Sequence, residues 1–167
     1  MADAVQWAAH FGAARIIHAA DAAAAPGAEV VLRGSGPWAI RGDDVVEVDA
    51  DASGRASAQP HDDALLLHVP GHTAGSCALL HAPSRSLFTG DTLALSAGLG
   101  RLTLFRRFCW HSREAQRASV EGLLSKDFTS VLPGHGRRAH FACVGAKDAA
   151  LRHALAEERA EDAAPAR

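Results

Sequence analysis

Cysteine is scarce in this chain of 167 residues, and what there is cannot build a scaffold. Cys77, Cys109 and Cys143 are odd in number, far apart and without a C-x-x-C pair. This excludes a disulfide framework and a cysteine-based zinc knot, and fits a reducing compartment. Long apolar runs are also missing: no stretch approaches the roughly 20 residues needed to cross a bilayer. Nor does the N-terminus carry a basic segment followed by an apolar core. A soluble, intracellular protein of cytoplasm or plastid is expected, with no membrane partner. Charge of one sign is lacking too, since 17 basic and 19 acidic residues leave a net charge of -2 and a pI near 6.5. Such a balance generates no field to attract a polyanion, so nucleic acid is not an expected partner. No internal repeat is visible.

What is present suits one globular domain spanning residues 1–167, because 48% of the residues are apolar and the length permits a real core. Val5, Trp7, Ala8 and Phe11 give a helical pattern that stops at Gly12, and Arg15–His18 reads as a short β-branched strand. Residues 29–33 and 44–49 are further strand candidates, expected to pair antiparallel. Residues 50–63 are small, polar and aperiodic, the composition of a mobile loop. Strands are then expected over 64–69, 76–81 and 86–89. An irregular stretch over 93–111 should lead to a helix over 112–124, with Ala115, Ala118, Val120, Leu123 and Leu124 on its apolar side and an Arg117–Glu121 pair. A strand over 128–132, a helix over 145–160 carrying Leu151 and Leu155, and a disordered tail over 161–167 complete the reading.

Three strand-ending loops share a chemical character: Pro70-Gly-His72-Thr-Ala-Gly75-Ser76, Thr89-Gly-Asp91-Thr92 and Leu132-Pro-Gly-His135-Gly136. Each offers one metal-capable side chain beside a glycine that lets the backbone turn sharply, so loops distant in sequence can aim at a common point. Two imidazoles and a carboxylate suit zinc, and three protein ligands with one open position is the usual catalytic arrangement. The plainer alternative is three glycine turns that merely carry polar residues.

In that order the three loops resemble the later motifs of the metallo-β-lactamase superfamily, which includes glyoxalase II-like thioester hydrolases. The resemblance implies an α/β fold, an αββα sandwich of mixed sheets and flanking helices. It also implies metal ligation by His72, Asp91 and His135, with Asp91 central to catalysis, and a small-molecule substrate. The family's first motif, H-x-H-x-D-H, is absent; Asp3 falls where its aspartate would lie, with Ala4 in place of its last histidine. The sandwich is therefore expected to be incomplete, lacking the first strands and the first metal motif. The segment from Trp7 to His18 further resembles members of plant and algal type.

With the remaining ligands the site should hold one zinc ion at most, or none, and hydrolysis of ester or thioester bonds should be weakened or lost. The alternative is a non-catalytic module from a truncated gene product, its exposed sheet edge available for self-association. His68 is expected in a strand with a hydrogen-bonded ring, because Pro70 and Gly71 forbid a helical His-x-x-x-His site. Cys77 and Cys143 should pack as small apolar groups, with Cys109 and Trp110 beside a cleft. Arg101, Arg106 and Arg107 bracket Leu102, Leu104, Phe105 and Phe108, which reads either as a basic-aromatic lip for an anionic acyl group or as a solvated loop.

Overall fold

A computed structural model describes residues 3–49 and 62–163. Helix α1 (Ala4–Phe11) is followed by β1 (Ile16–His18) and β2 (Val30–Leu32), then by a hairpin of β3 (Trp38–Arg41) and β4 (Asp44–Glu47). Strands β5 (Ala64–His68), β6 (Cys77–His81) and β7 (Ser86–Gly90) come next, then a small hairpin of β8 (Leu93–Leu95) and β9 (Leu102–Leu104). Helix α2 (Arg113–Gly122), β10 (Ser130–Pro133), β11 (Ala139–His140) and α3 (Val144–Ala163) close the chain.

Seven strands form one mixed sheet in the order β11-β10-β7-β6-β5-β3-β4, with β10 parallel to β7 and the other neighbours antiparallel. Side-chain alternation explains what holds it. The cross-strand row Ala39, Leu65, Leu80, Leu87, Val131, Ala139 points to one face and is buried along its whole length. Against it pack Val120 and Leu123 of the α2 region, Phe128, and Leu151, Ala154 and Leu155 of α3, all in a single core cluster. Each fully buried aliphatic side chain stabilises the fold by about 1.5–3 kcal/mol, so this face is the main source of stability.

Lys147 sits in the same layer with its side chain fully buried. Its ammonium donates to the carbonyls of Leu123, Leu124 and Lys126 and lies 4.6 Å from the centre of the Phe128 ring. It therefore satisfies carbonyls left over where the α2 region ends and ties that end to α3.

Several local expectations are corrected. β2 pairs parallel with β1, in register Ile16–Val30 to His18–Leu32, not antiparallel with residues 44–49. The antiparallel partner of β4 is β3, which the preceding Gly-Ser-Gly-Pro run disguises as loop. The stretch 93–111 contains the β8–β9 hairpin. In α2, Ser112 caps the N-terminus by accepting from the Ala115 amide at 3.1 Å, but Ala118 is exposed and Gln116 is buried instead. Arg117 pairs with Asp162, while Glu121 takes Arg159. Residues 161–163 belong to α3, the remainder of the expected tail lying outside the described residues. Cys143 is exposed. The expected mobile loop lies outside the described residues except for Asp62 and Asp63; Asp62 is buried and takes a salt bridge from Arg41 at 2.6 Å.

Candidate metal centre

His72 stands on the loop between β5 and β6, and that loop is fixed mainly through its backbone. The Val69 amide donates to Ser76 at 2.8 Å and the Gly71 amide to Thr73 at 2.9 Å. From the other side the amides of His111 and Ser112 reach the Gly71 carbonyl, the Trp110 amide reaches the His72 carbonyl at 2.9 Å, and the Ser119 hydroxyl reaches the Pro70 carbonyl at 2.7 Å. Gly71 is required here. Its φ is +150°, and a Cβ would fall 2.4 Å from the Gln116 Cα. Gln116 is in turn anchored through its amide to the Thr92 carbonyl at 3.1 Å.

A carboxylate that sequence reasoning passed over completes the clamp. Asp21, in the 3-10 turn Ala19–Ala24, accepts a hydrogen bond from the Thr73 hydroxyl. Thr73 also contacts Ser76 Oγ at 2.8 Å. Any side chain at Gly75 would strike Asp21. The one signal in the sequence was a single acidic residue within the run His18-Ala-Ala-Asp-Ala-Ala-Ala-Ala.

Asp91 follows β7 and His135 follows β10. Because these strands are parallel neighbours, their C-terminal ends open onto the same edge of the sheet. The Gly134 amide donates to the Gly90 carbonyl at 2.8 Å, and a Cβ on Gly134 would lie 2.9 Å from Asp91 Oδ1. A side chain there would push the Asp91 carboxylate from its present place. The Asp91 carboxylate consequently lies between the two imidazoles, with Oδ1 2.7 Å from His135 Nδ1 and Oδ2 3.7 Å from His72 Nε2. His135 remains 78% exposed, whereas the side chains of His72 and Asp91 are about four-fifths covered, at 18% and 23% exposure. His72 Nδ1 is buried without a hydrogen-bond partner.

All three residues line one cavity of about 340 Å³, completed by Phe105, Phe108 and Trp110. The donor types fit zinc, but the spacing is that of one hydrogen-bonded pair, His135–Asp91, with His72 a longer contact away. Tetrahedral ligands at about 2.0–2.2 Å from zinc lie about 3.3 Å from one another, and the two contacts fall on either side of that value. Among the described residues, no group of three or more His, Cys, Asp or Glu side chains is close enough to hold an ion as it stands.

The other sequence candidates lie elsewhere. The His68 ring reaches the Ala74 carbonyl at 2.9 Å and stacks on His18 at 4.1 Å between ring centres, so it packs within the fold. Asp3 is exposed at the start of α1 and lines no part of the cavity. Burial, with the charge of Asp21 adding to it, pushes the Cys77 thiol up to about 11, which suits a packed thiol and not a nucleophile. Cys109 donates to the Gly71 carbonyl at 3.0 Å and so braces the His72 loop.

Searches among known proteins agree with this architecture. No family model matches the chain. The hydroxyacylglutathione hydrolase of Rhodospirillum rubrum is 42% identical over 81 residues, covering 47% of this chain and 29% of that protein. Among solved structures, VMB-1 at pH 5.5 superposes with a TM-score of 0.59 at 15% identity, covering 97% of this chain and 63% of its own. A metallo-β-lactamase from Hirschia baltica gives 0.57 at 14% identity, with 92% and 61% covered. DIM-1 metallo-β-lactamase exposed to ceftazidime gives 0.54 at 15% identity, with 90% and 61% covered. The chain thus spans about three-tenths of the curated relative's length and about six-tenths of the solved chains it matches. A mixed sheet whose loops gather His72, Asp91 and His135 at one edge, superposable over nine-tenths or more of its length on these structures, has the metallo-β-lactamase fold.

Proposed function

We propose that this protein is a metal-dependent hydrolase of ester or thioester bonds, using one zinc ion held by His72, Asp91 and His135. The observation that carries the reading is the convergence of three separate glycine-tightened loops on one cavity, with Asp91 between the two imidazoles. The partial identity to a hydroxyacylglutathione hydrolase points to thioesters within that class. When bound, zinc supplies a water of lowered pKa and polarises the acyl carbonyl.

The chain's own residues set the rest. His72 is held by its clamped loop, and its unpartnered Nδ1 faces no competing acceptor. Asp91 presents one oxygen to each imidazole and is the carboxylate placed to orient the attacking water and take up its proton. Hydrolysis forms a bond from the water oxygen to the acyl carbon and breaks the carbon–sulfur bond, and the proton passes to the departing thiolate. Turnover is expected to be slow, because a second ion has no ligand set of its own among the described residues. The direct His135–Asp91 hydrogen bond favours the opposing reading, a non-catalytic module, since it satisfies the carboxylate without a metal.

Elemental analysis of the purified protein separates the two. About one zinc per chain, lost in both His72→Ala and His135→Ala together with thioester hydrolysis, is the expected result. Protein that takes up no zinc after dialysis against the metal would overturn the hydrolase reading and leave the module.

A further inference from the structure

The loop that closes the cavity is charged in sequence and uncharged where it matters. Phe105, Phe108 and Trp110 are its only contributions to the cavity wall, and Phe108 and Trp110 are 55% and 73% exposed. The arginines around them turn away. Arg101 pairs with Glu157, and Arg106 lies within 3.5 Å of Glu158 and 3.0 Å of Asp162. Arg113 and Arg117 also reach Asp162. Arg107, Arg137 and Arg138 are exposed and line no part of the cavity.

The aromatic wall is nevertheless held firmly. Its turn is bonded to the His72 loop through the Trp110 amide and the Cys109 thiol, and to α3 through Arg106. Large rings kept exposed and fixed beside a polar centre form a preorganised apolar seat. A volume of about 340 Å³ is at the small end of the range for ligand pockets.

We propose that this seat selects a small, uncharged aromatic or bulky apolar acyl group, and that anionic peptide-like thioesters are poor ligands. The proposal rests on the hydrolase reading for the position of the scissile bond, while the seat itself is a property of Phe105, Phe108 and Trp110. An acyl ring lying against Trp110 and Phe108 places its carbonyl toward Asp91, across the same cavity. No arginine in the wall is left to pair with a substrate carboxylate.

The test compares two probes: the neutral N-acetylcysteamine thioester of phenylacetic acid and the anionic S-lactoylglutathione. Binding is read from the indole N–H signals of the full chain, whose three tryptophans are Trp7, Trp38 and Trp110. The phenylacetyl probe should shift Trp110 alone and bind at least about 10-fold more tightly than S-lactoylglutathione, as aromatic anchors do. Trp110→Ala and Phe108→Ala should each weaken it by about 10-fold, and Arg107→Ala and Arg138→Ala by less than about 2-fold. Tighter binding of S-lactoylglutathione, its loss in the arginine variants, or no movement of Trp110 with either probe overturns the seat. Hydrolysis is followed separately with zinc present. Trp110 shifts without turnover would sink the hydrolase reading and leave the seat standing, whereas turnover favouring S-lactoylglutathione would do the reverse.

Discussion

The two faces of the seven-stranded sheet are built from the same strands and finished very differently. On the helix side, the row from Ala39 to Ala139 is buried throughout, roofed by α2, α3 and the ring of Phe128. On the opposite side, the neighbouring row runs Trp38, Leu66, Leu79, Phe88, beginning at 3% exposure and ending at 44%. Cover there comes from the α1–β1–β2 unit, which reaches the Trp38 and His68 end of the row through the His18 ring. That unit buries no residue of α1 and leaves Val5, Trp7 and Phe11 more than half exposed. Apolar packing therefore holds one face, whereas polar contacts do much of the work on the other: Arg15 to Glu29, His18 to Gly34, Asp21 to Thr73. The candidate site straddles the difference, since the His72 loop is clamped from both sides.

The contrast can be broken most severely at its strong end. Phe128→Ala should lower the unfolding free energy by about 3–5 kcal/mol in denaturant titrations, because it opens a cavity in a filled layer. A loss below about 1 kcal/mol would mean that the layer collapses freely. Next in size is Gly71→Ala, where the added methyl meets Gln116 backbone at positive φ. A cost of about 1–3 kcal/mol is expected, together with loss of zinc uptake. Uptake unchanged from the unmodified protein would show that the loop tolerates the shift.

The weaker face gives the smaller effects. Hydrogen bonds from Arg15 hold the Glu29 carboxyl down at about 2, against an ordinary value of 4.5. A depressed carboxylate contributes stability that is complete above the unfolded value and is lost as pH falls through the folded one. Between about pH 4.5 and 2, amide signals of Ile16–His18 and Val30–Leu32 should move before those of Leu87 and Val131. Simultaneous loss would show that the two faces unfold as one. The smallest change is expected from Trp7→Ala, within about 0.5 kcal/mol of the unmodified protein, as for other exposed positions. A cost above 1 kcal/mol in the same titration would reveal that something covers α1 in solution.

Much of the strong face was legible in the sequence. Strand alternation around Leu65, Leu80, Leu87 and Val131 is regular, and the glycine-flanked His72, Asp91 and His135 stand out by chemistry. On the weak face the elements α1, β1 and β2 were legible, but their pairing was not. β1 and β2 are three residues each and pair parallel, an association that no local period encodes. Asp21 was invisible because its partner Thr73 lies 52 residues away. The expected Arg117–Glu121 pair failed for the same reason, since the partner of Arg117 in α3 is 45 residues downstream.

The parallel pairing of β7 with β10 also has a consequence in time. Parallel neighbours cannot be joined by a tight turn, so the strands that lead to Asp91 and His135 are connected through the β8–β9 hairpin and α2. Closing the 44 residues between the two side chains costs about 3 kcal/mol of chain entropy beyond the constant part. The local contacts of β5, β6 and β7 close shorter loops and cost less. The antiparallel hairpins should thus form more readily than the site, which needs the long-range pairing of β7 with β10.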